Sequence, residues 1–215
     1  IIMVHIAPSM LAADFLHLAD DVKVVNENAE FFHLDIMDGV FVPNISYGFP
    51  VVEAIASAAV KPMDVHLMIV QPEKYVERFA RLGVKMLSFH INATDKPAQT
   101  LLHIREAGMK AGLVINPDMP VESLYPYLHL CDHIILMSVY AGFGGQKFIE
   151  ETFDRIRTLK AEIVRQSLDV MIEVDGGVSP SNARALVDAG ADILVAGSAV
   201  FRSDDPASVI AALKA

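Results

Sequence analysis

The sequence has little cysteine, no block of basic residues and no long hydrophobic run. Its one cysteine, Cys131, excludes an internal disulfide and is typical of a protein from a reducing cytoplasm. The 17 basic residues are spread among 27 acidic ones, which argues against a nucleic-acid-binding surface. No apolar run reaches the roughly 18 residues that a membrane-spanning helix needs, and the segment "IIMVHIAPS" lacks the basic residues and the cleavage site of a signal peptide. We therefore expect a cytoplasmic protein that binds neither nucleic acid nor membranes.

Short β-rich runs alternate with amphipathic stretches along the whole chain. The eight runs are "VHIAPS", "FFHLDIM", "MDVHLMI", "MLSFHI", "KAGLVIN", "HIILMSV", "VMIEVDGG" and "ILVAGSAV". Three of the intervening stretches end in a glycine, at Gly83, Gly108 and Gly190, as helices commonly do. The strands read as continuous apolar runs, which is typical of parallel strands buried on both faces. The pattern predicts an α/β protein with a single domain over residues 1–215, a (β/α)₈ TIM barrel; a doubly wound sheet, typically of about five or six strands, is the alternative.

Polar side chains recur where the predicted strands end, which in a TIM barrel is the end that carries the active site. His33 and Asp35 are two residues apart and therefore point to one side of a strand. His66 lies in the third predicted strand and Asp175 in the seventh. If these faces converge, the two imidazoles and two carboxylates suit Zn²⁺ or another first-row divalent ion. A hydrogen-bonded His–Asp network without a metal explains the same pattern.

Other polar groups near these ends have plainer interpretations. Glu173 shares the face of Asp175 one layer deeper, so we expect it to support the metal ligands. His90 and Asn116, each taken alone, are expected to be buried polar groups with satisfied hydrogen bonds.

The segment "SVYAGFGGQKF" brings several glycines together after the sixth predicted strand, and "DGG" and "AGS" follow the seventh and eighth. Phosphate sites in barrels are commonly built from these last loops. The loop offers one cation, Lys147, in a chain of net charge −10. We therefore expect backbone N–H groups and one hydroxyl to hold a phosphate without a basic side chain. The groups suited to this are Gly144, Gly145, Gly177, Gly197 and Ser198.

Seven segments occur in the order and at the spacing of the ribulose-phosphate 3-epimerase family. They are "IAPSMLAADF", "HLDIMDGVFVPN", "DVHLM", "GLVINP", "GFGGQKFI", "EVDGGV" and "AGSAVF". The sequence resembles that family over essentially its whole length. The resemblance implies a barrel enzyme of the pentose phosphate pathway that interconverts D-ribulose 5-phosphate and D-xylulose 5-phosphate. It also implies one divalent metal ion per subunit, zinc or alternatively cobalt, manganese or iron, and we expect a homo-oligomer.

The resemblance also assigns roles to individual residues. Asp35 and Asp175 would be the acid/base pair, and both would be metal ligands together with His33 and His66. Inversion at C3 through a cis-enediolate would use one carboxylate on each face of the substrate. The remaining implied substrate contacts are Ser9, Met37, His66, Met68, Met137, Gly142, Phe143, Gly144, Gly145, Gly176, Gly177, Gly197 and Ser198.

Two features bear on the substrate and on rival functions. The family usually has Asn-Pro where this chain has Tyr140-Ala141, which leaves D-allulose 6-phosphate 3-epimerase as an alternative activity. The run Phe143-Gly144-Gly145 favours the pentose phosphate. A decarboxylase of the orotidine-phosphate type is a rival function, and the absence from "HLDIMDG" of the lysine that those enzymes need argues strongly against it. A non-catalytic sugar-phosphate-binding barrel would not need two carboxylates facing each other across a metal.

Overall fold

Eight parallel strands form one sheet in the computed structural model, which describes residues 4–214. The strands are β1 His5–Pro8, β2 Phe32–Met37, β3 Met63–Met68, β4 Met86–His90, β5 Lys110–Ile115, β6 His133–Met137, β7 Met171–Asp175 and β8 Ile193–Ala196. Residues 1–3, part of the segment used to argue against a signal peptide, and residue 215 lie outside this range. All eight predicted strands are present, and the prediction of a TIM barrel is confirmed.

The sheet closes on itself at a weak seam between β1 and β2. Neighbouring strands follow the order β1-β8-β7-β6-β5-β4-β3-β2. Between the two ends, only an isolated bridge pairs Ser9 with His33, and the Glu30 and Phe31 N–H groups donate to the Ile6 carbonyl. The ring is therefore nearly but not fully closed by backbone hydrogen bonds.

Helices cover the outside of the ring. They are α1 Leu18–Asn28, α2 Phe49–Ala58, α3 Val76–Arg81, α4 Pro97–Glu106, α5 Thr152–Arg165, α6 Pro180–Ala189, α7 Ser198–Phe201 and α8 Pro206–Leu213. Between β5 and β6 the connection is a 3₁₀ helix, Val121–Leu130, which contains Pro126; a proline inside an α-helix would remove a hydrogen bond. The predicted eighth strand is too long, because its last residues belong to α7.

Side chains alternate between two environments along β2, and this alternation places the site. Phe32 and Leu34 join the large apolar cluster that also contains the helix residues Val25 and Ile55. The side chains between them therefore point into the barrel. His33 and Asp35 are therefore inward-facing polar residues of β2, and both are buried. No helix within residues 4–214 is long and apolar enough to cross a membrane.

Candidate active site at the carboxyl end of the barrel

A cavity of about 280 Å³ opens at the carboxyl ends of the strands. Every predicted site residue except the two histidines lines it, namely Ser9, Asp35, Met37, Met68, Met137, Gly142, Phe143, Gly144, Gly145, Asp175, Gly176, Gly177, Gly197 and Ser198. His33 and His66 are fully buried below its floor. His66, predicted to contact the substrate as well, therefore does not line the cavity.

Four donor atoms converge at the base of the cavity. His33 Nε2 lies 3.3 Å from Asp35 Oδ1 and 3.7 Å from Asp175 Oδ2. His66 Nδ1 lies 3.3 Å and 3.5 Å from the same two oxygens. Both ring nitrogens are buried and form no hydrogen bond within residues 4–214. A tetrahedral ion with ligand bonds of about 2.0–2.1 Å separates its ligands by about 3.3–3.4 Å, so the four side chains fit a divalent metal ion.

The electrostatics of this cluster favour a positive charge between the carboxylates. Burial opposes ionisation of Asp35, but the His33 and His66 rings outweigh burial and hold the pKa of its carboxyl well below the ordinary value. Burial likewise opposes a charge on His66, yet the Asp175 and Asp35 carboxylates raise its pKa to about 9. A bound cation would stabilise the two carboxylates in the same way as protonated histidines, because it neutralises negative charges that otherwise repel each other.

Each histidine is held from behind through its other ring nitrogen. His33 Nδ1 lies 2.7 Å from Asp64 Oδ2 and 3.2 Å from Glu173 Oε1. His66 Nε2 lies 3.0 Å from His90 Nε2. With an ion in place of the protons that the carboxylates favour, the near nitrogens, His33 Nε2 and His66 Nδ1, would face it with lone pairs, which is the state that metal ligation requires.

Glu173 lies one layer deeper than Asp175, as its position in the sequence predicted. Burial and the neighbouring Asp64 carboxylate raise the pKa of Glu173 to about 8. A neutral glutamic acid beside Asp64 avoids placing two negative charges together in the closed interior of the barrel. The deeper layer therefore supports the His33 ring.

The end of β2 is fixed by hydrogen bonds from three hydroxyl groups. The Ser9 hydroxyl donates to Asp35 Oδ2 at 2.5 Å. The Ser46 hydroxyl donates to the Asp35 carbonyl at 2.6 Å, and the Tyr47 hydroxyl accepts from the Asp35 N–H at 3.2 Å. Ser9 therefore orients the Asp35 carboxylate, and the loop after β2 holds its backbone.

Methionines and other apolar side chains line the upper wall of the cavity. Met37 and Met68 pack in one cluster with Val42 and Leu11. Met137 belongs to a separate cluster on the opposite wall with Val139. The three methionines therefore line the cavity, as the resemblance implied, and belong to small clusters separate from the main core.

The glycine loop, residues 140–147, is held through two of its carbonyl groups and leaves the N–H groups of Gly144 and Gly145 free. Gln146 Nε2 donates to the Tyr140 and Phe143 carbonyls at 2.6 Å and 2.8 Å. Within residues 4–214, the N–H groups of Gly144, Gly145, Gly177 and Ser198 form no hydrogen bonds. Gly145 and Gly177 have φ values of 72° and 64°, a region that strongly favours glycine. The loop thus presents unpaired donors to the cavity.

The sequence patterns missed three residues of this region. Asp64 and His90 support the two histidines from behind, and Arg202 lines the cavity. Asp64 was detectable, since it is two residues before His66 and shares its face. His90 was interpreted as a satisfied polar group; Asn116, with the same interpretation, accepts the Ala141 N–H at 3.2 Å. Arg202 could not be predicted as a site residue, because the segment before it was predicted as strand and is helix α7.

Solved structures share the fold at low sequence identity. A variant of the tryptophan synthase alpha-subunit from Pyrococcus furiosus superimposes with a TM-score of 0.74 at 15% identity, covering 99% of this chain and 98% of that one. KGPDC from Streptococcus mutans gives a TM-score of 0.73 at 13% identity, covering 99% and 95%. At these identities the likeness concerns the barrel architecture alone.

Sequence relatives are much more similar. The ribulose-phosphate 3-epimerase of Synechocystis sp. is 48% identical over 97% of this chain and 92% of its own length. That of Bacillus subtilis is 42% identical over 99% of both chains. The model of the ribulose-phosphate 3 epimerase family matches residues 5–201. With a family match over most of its length and such relatives, the chain belongs to the ribulose-phosphate 3-epimerase family and is an enzyme of the isomerase class.

Proposed function

We propose that the protein is a metal-dependent epimerase that interconverts D-ribulose 5-phosphate and D-xylulose 5-phosphate in the pentose phosphate pathway. The observation that carries the proposal is the placement of Asp35 and Asp175, which approach the His33 and His66 nitrogens from different strands, β2 and β7. Relatives named ribulose-phosphate 3-epimerase support the choice of substrate.

Inversion at C3 of a ketose phosphate requires a proton to leave one face and another to arrive on the opposite face. One side chain cannot easily reach both faces, so the reaction calls for two acid/base groups. Asp35 and Asp175 both line the cavity and take these roles in our proposal. Each positioned group of this kind contributes about 10²–10⁴-fold to the rate. The Ser9 hydroxyl, bonded to Asp35, keeps that carboxylate oriented.

His33, Asp35, His66 and Asp175 would hold one divalent ion. When bound, such an ion supplies Lewis-acid stabilisation of negative charge on the substrate oxygens next to C3. The mixed nitrogen and oxygen donors suit zinc, with cobalt, manganese or iron as alternatives. Met37, Met68 and Met137 keep water away from the reacting carbon, and the loop glycines with Ser198 receive the phosphate.

The same chemistry on a substrate one carbon longer is the second candidate. Tyr140 lines the cavity beside the glycine loop and is about half exposed, so its phenol borders the region where chain length would matter. Assays with ribulose 5-phosphate and allulose 6-phosphate on one preparation decide between them. We expect the higher kcat/KM for the pentose, and we expect Tyr140→Asn to move the ratio if this side chain sets the length.

Metal dependence is tested on the same protein. Chelation should abolish activity, and Zn²⁺, Co²⁺, Mn²⁺ or Fe²⁺ should restore it. Full activity in protein shown to be metal-free by elemental analysis would contradict this part of the proposal. A cytoplasmic location remains a prediction, supported by the single buried cysteine. The homo-oligomeric state also remains a prediction.

A further inference from the structure

Arg202 brings a guanidinium group to the glycine end of the cavity. It follows α7 directly and lines the cavity together with Gly145 and Ser198. A Cβ atom placed on Gly145 would lie 3.9 Å from Arg202 Nη1 and 4.0 Å from Ser198 Oγ. A guanidinium, a hydroxyl and the free N–H groups of the glycine loop therefore approach one point from three directions.

The Arg202 guanidinium is not engaged in holding the fold. Five other arginines lie within ion-pair distance of carboxylates, namely Arg78, Arg105, Arg157, Arg165 and Arg184. Arg155 donates to the Asn116 and Met119 carbonyls. Within residues 4–214, the guanidinium groups of Arg202 and Arg81 have neither kind of partner, and Arg81 is exposed at the end of α3, outside the cavity lining. In a chain of net charge −10, an arginine without a carboxylate partner beside a cavity is available to an anion from outside.

The negative charge of the cavity lining favours a basic residue at the phosphate end. Its lining contains the two carboxylates Asp35 and Asp175, and among the described lining residues Arg202 is the basic one. Lys147, the cation in the glycine-rich segment, is exposed like Arg202 but lies outside the lining. Backbone dipoles can orient a phosphate, but they add no net positive charge against the field of an acidic protein.

We propose that Arg202 is a substrate-binding residue that pairs with the phosphate group of the sugar phosphate. The phosphate oxygens would accept from its guanidinium and from the Ser198 hydroxyl, while the glycine N–H groups hold the remaining oxygens. This inference rests on the proposed function and deepens it, because Arg202 would give the enzyme a preference for the phosphorylated ketose over the free one. It also replaces the expectation that the phosphate is held without a basic side chain.

The position of Arg202 predicts which kinetic constant changes. The phosphate is remote from C3 and makes the same contacts in the substrate and in the transition state. Loss of the Arg202 contact therefore weakens the binding of both to the same extent. Arg202→Ala should raise KM for ribulose 5-phosphate on the order of 10- to 100-fold, the cost of a lost charged hydrogen bond. The value of kcat should stay within about threefold of the unchanged protein. Arg202→Lys should recover part of the affinity, since it keeps the charge and loses the fork of donors.

Inorganic phosphate serves as the direct probe, both as a competitive inhibitor and as a ligand in calorimetry. Its dissociation constant should rise in Arg202→Ala by about the same factor as KM. Two control variants carry the same loss of charge elsewhere: Lys147→Ala, in the loop but outside the cavity, and Arg184→Ala, on the exposed face of α6. Neither control should change phosphate binding by more than about twofold.

The outcomes separate this inference from the proposed function. If Arg202→Ala binds inorganic phosphate as tightly as the unchanged protein, Arg202 is not a phosphate ligand, whatever the substrate. If Lys147→Ala weakens phosphate binding as much as Arg202→Ala does, the effect is general electrostatics and the inference is overturned. If the unchanged protein fails to epimerise ribulose 5-phosphate, yet loses phosphate binding only in Arg202→Ala, the arginine assignment stands and the proposed substrate falls.

Discussion

His66 Nε2 and His90 Nε2 meet at 3.0 Å between two nearly parallel, buried rings. With a cation bound to Nδ1 between Asp35 and Asp175, the remaining proton of His66 would be on Nε2, and His90 would accept it. Burial and the neighbouring His66 ring hold the pKa of His90 well below its ordinary value, so His90 is neutral and has a lone pair for this bond. His90 thereby fixes which nitrogen His66 offers to a metal.

Replacing His90 with phenylalanine should weaken metal binding while preserving the ring packing against Phe41, whose ring lies 4.9 Å away. We expect the zinc dissociation constant, measured by chelator competition, to rise about 10- to 100-fold. His90→Gln keeps an acceptor and should recover most of the affinity. The absorption spectrum of the Co²⁺-loaded protein should change in the phenylalanine variant. Equal affinity in both variants would show that His90 only fills space.

Asp64→Asn should disturb the other histidine. The carboxylate accepts the proton of His33 Nδ1 at 2.7 Å, whereas an amide can donate to that nitrogen and so favour the tautomer with its proton on Nε2. That proton would point into the metal position, so we expect zinc affinity to fall about 10- to 100-fold. Asp132→Asn is the matched control, since Asp132 binds the Ala111 N–H away from the site. Unchanged zinc affinity in Asp64→Asn contradicts the tautomer argument.

The two-base mechanism predicts a split in proton exchange between two variants. With metal content confirmed in each, Asp35→Asn in D₂O should retain exchange at C3 of one epimer, and Asp175→Asn at C3 of the other. Neither should complete net epimerisation beyond a small residual rate. NMR of the recovered sugar phosphates measures the exchange. Exchange of the same epimer in both variants would indicate a single base.

Gly177→Ala should both destabilise the protein and weaken substrate binding. Gly177 has φ of 64°, and a Cβ there would lie 2.6 Å from the Phe148 nitrogen, so the glycine loop must shift. A left-handed conformation alone costs a non-glycine residue about 1–2 kcal/mol, and the clash adds to that. Gly48→Ala is the control, because a Cβ there meets nothing within 4 Å and its φ is not positive. Thermal unfolding and KM should change in the first variant and hardly at all in the second.

Periodicity was enough to predict the barrel and the four candidate metal ligands, whereas the roles of Ser9 and the methionines came from the family resemblance. His33 with Asp35 and Glu173 with Asp175 follow from alternation along a strand, and the strand count followed from the apolar runs. The same rule applied to the third strand would have added Asp64, two residues before His66. These features depend on local geometry, which a single sequence specifies.

Periodicity could not predict the positions of Arg202 and His90 in the site, for different reasons. Whether His90 is an isolated polar group or the partner of His66 depends on the register of β3 against β4, where His66 lies beside Ser88. The position of Arg202 depends on a change from strand to helix at Ser198, because α7 turns its C-terminal end towards the glycine loop. Both depend on contacts between segments rather than on composition.

The four candidate metal ligands lie on strands at or near the weak seam between β1 and β2, so they also bear on closure of the barrel. His33 and Asp35 lie on β2 at the seam, and His66 lies on the neighbouring β3. Asp175 lies on β7, two strands from β1 on the other side of the seam. An ion held by all four would connect β2 and β3 with β7 across this seam, where the backbone provides one bridge and two hydrogen bonds, and the Ser9–Asp35 hydrogen bond spans the same gap. Under the proposed function, closure of the ring and acid/base chemistry would thus depend on the same carboxylates. Since ligand binding stabilises the state that binds it, loss of the ion should loosen β1 and β2 before the rest of the sheet.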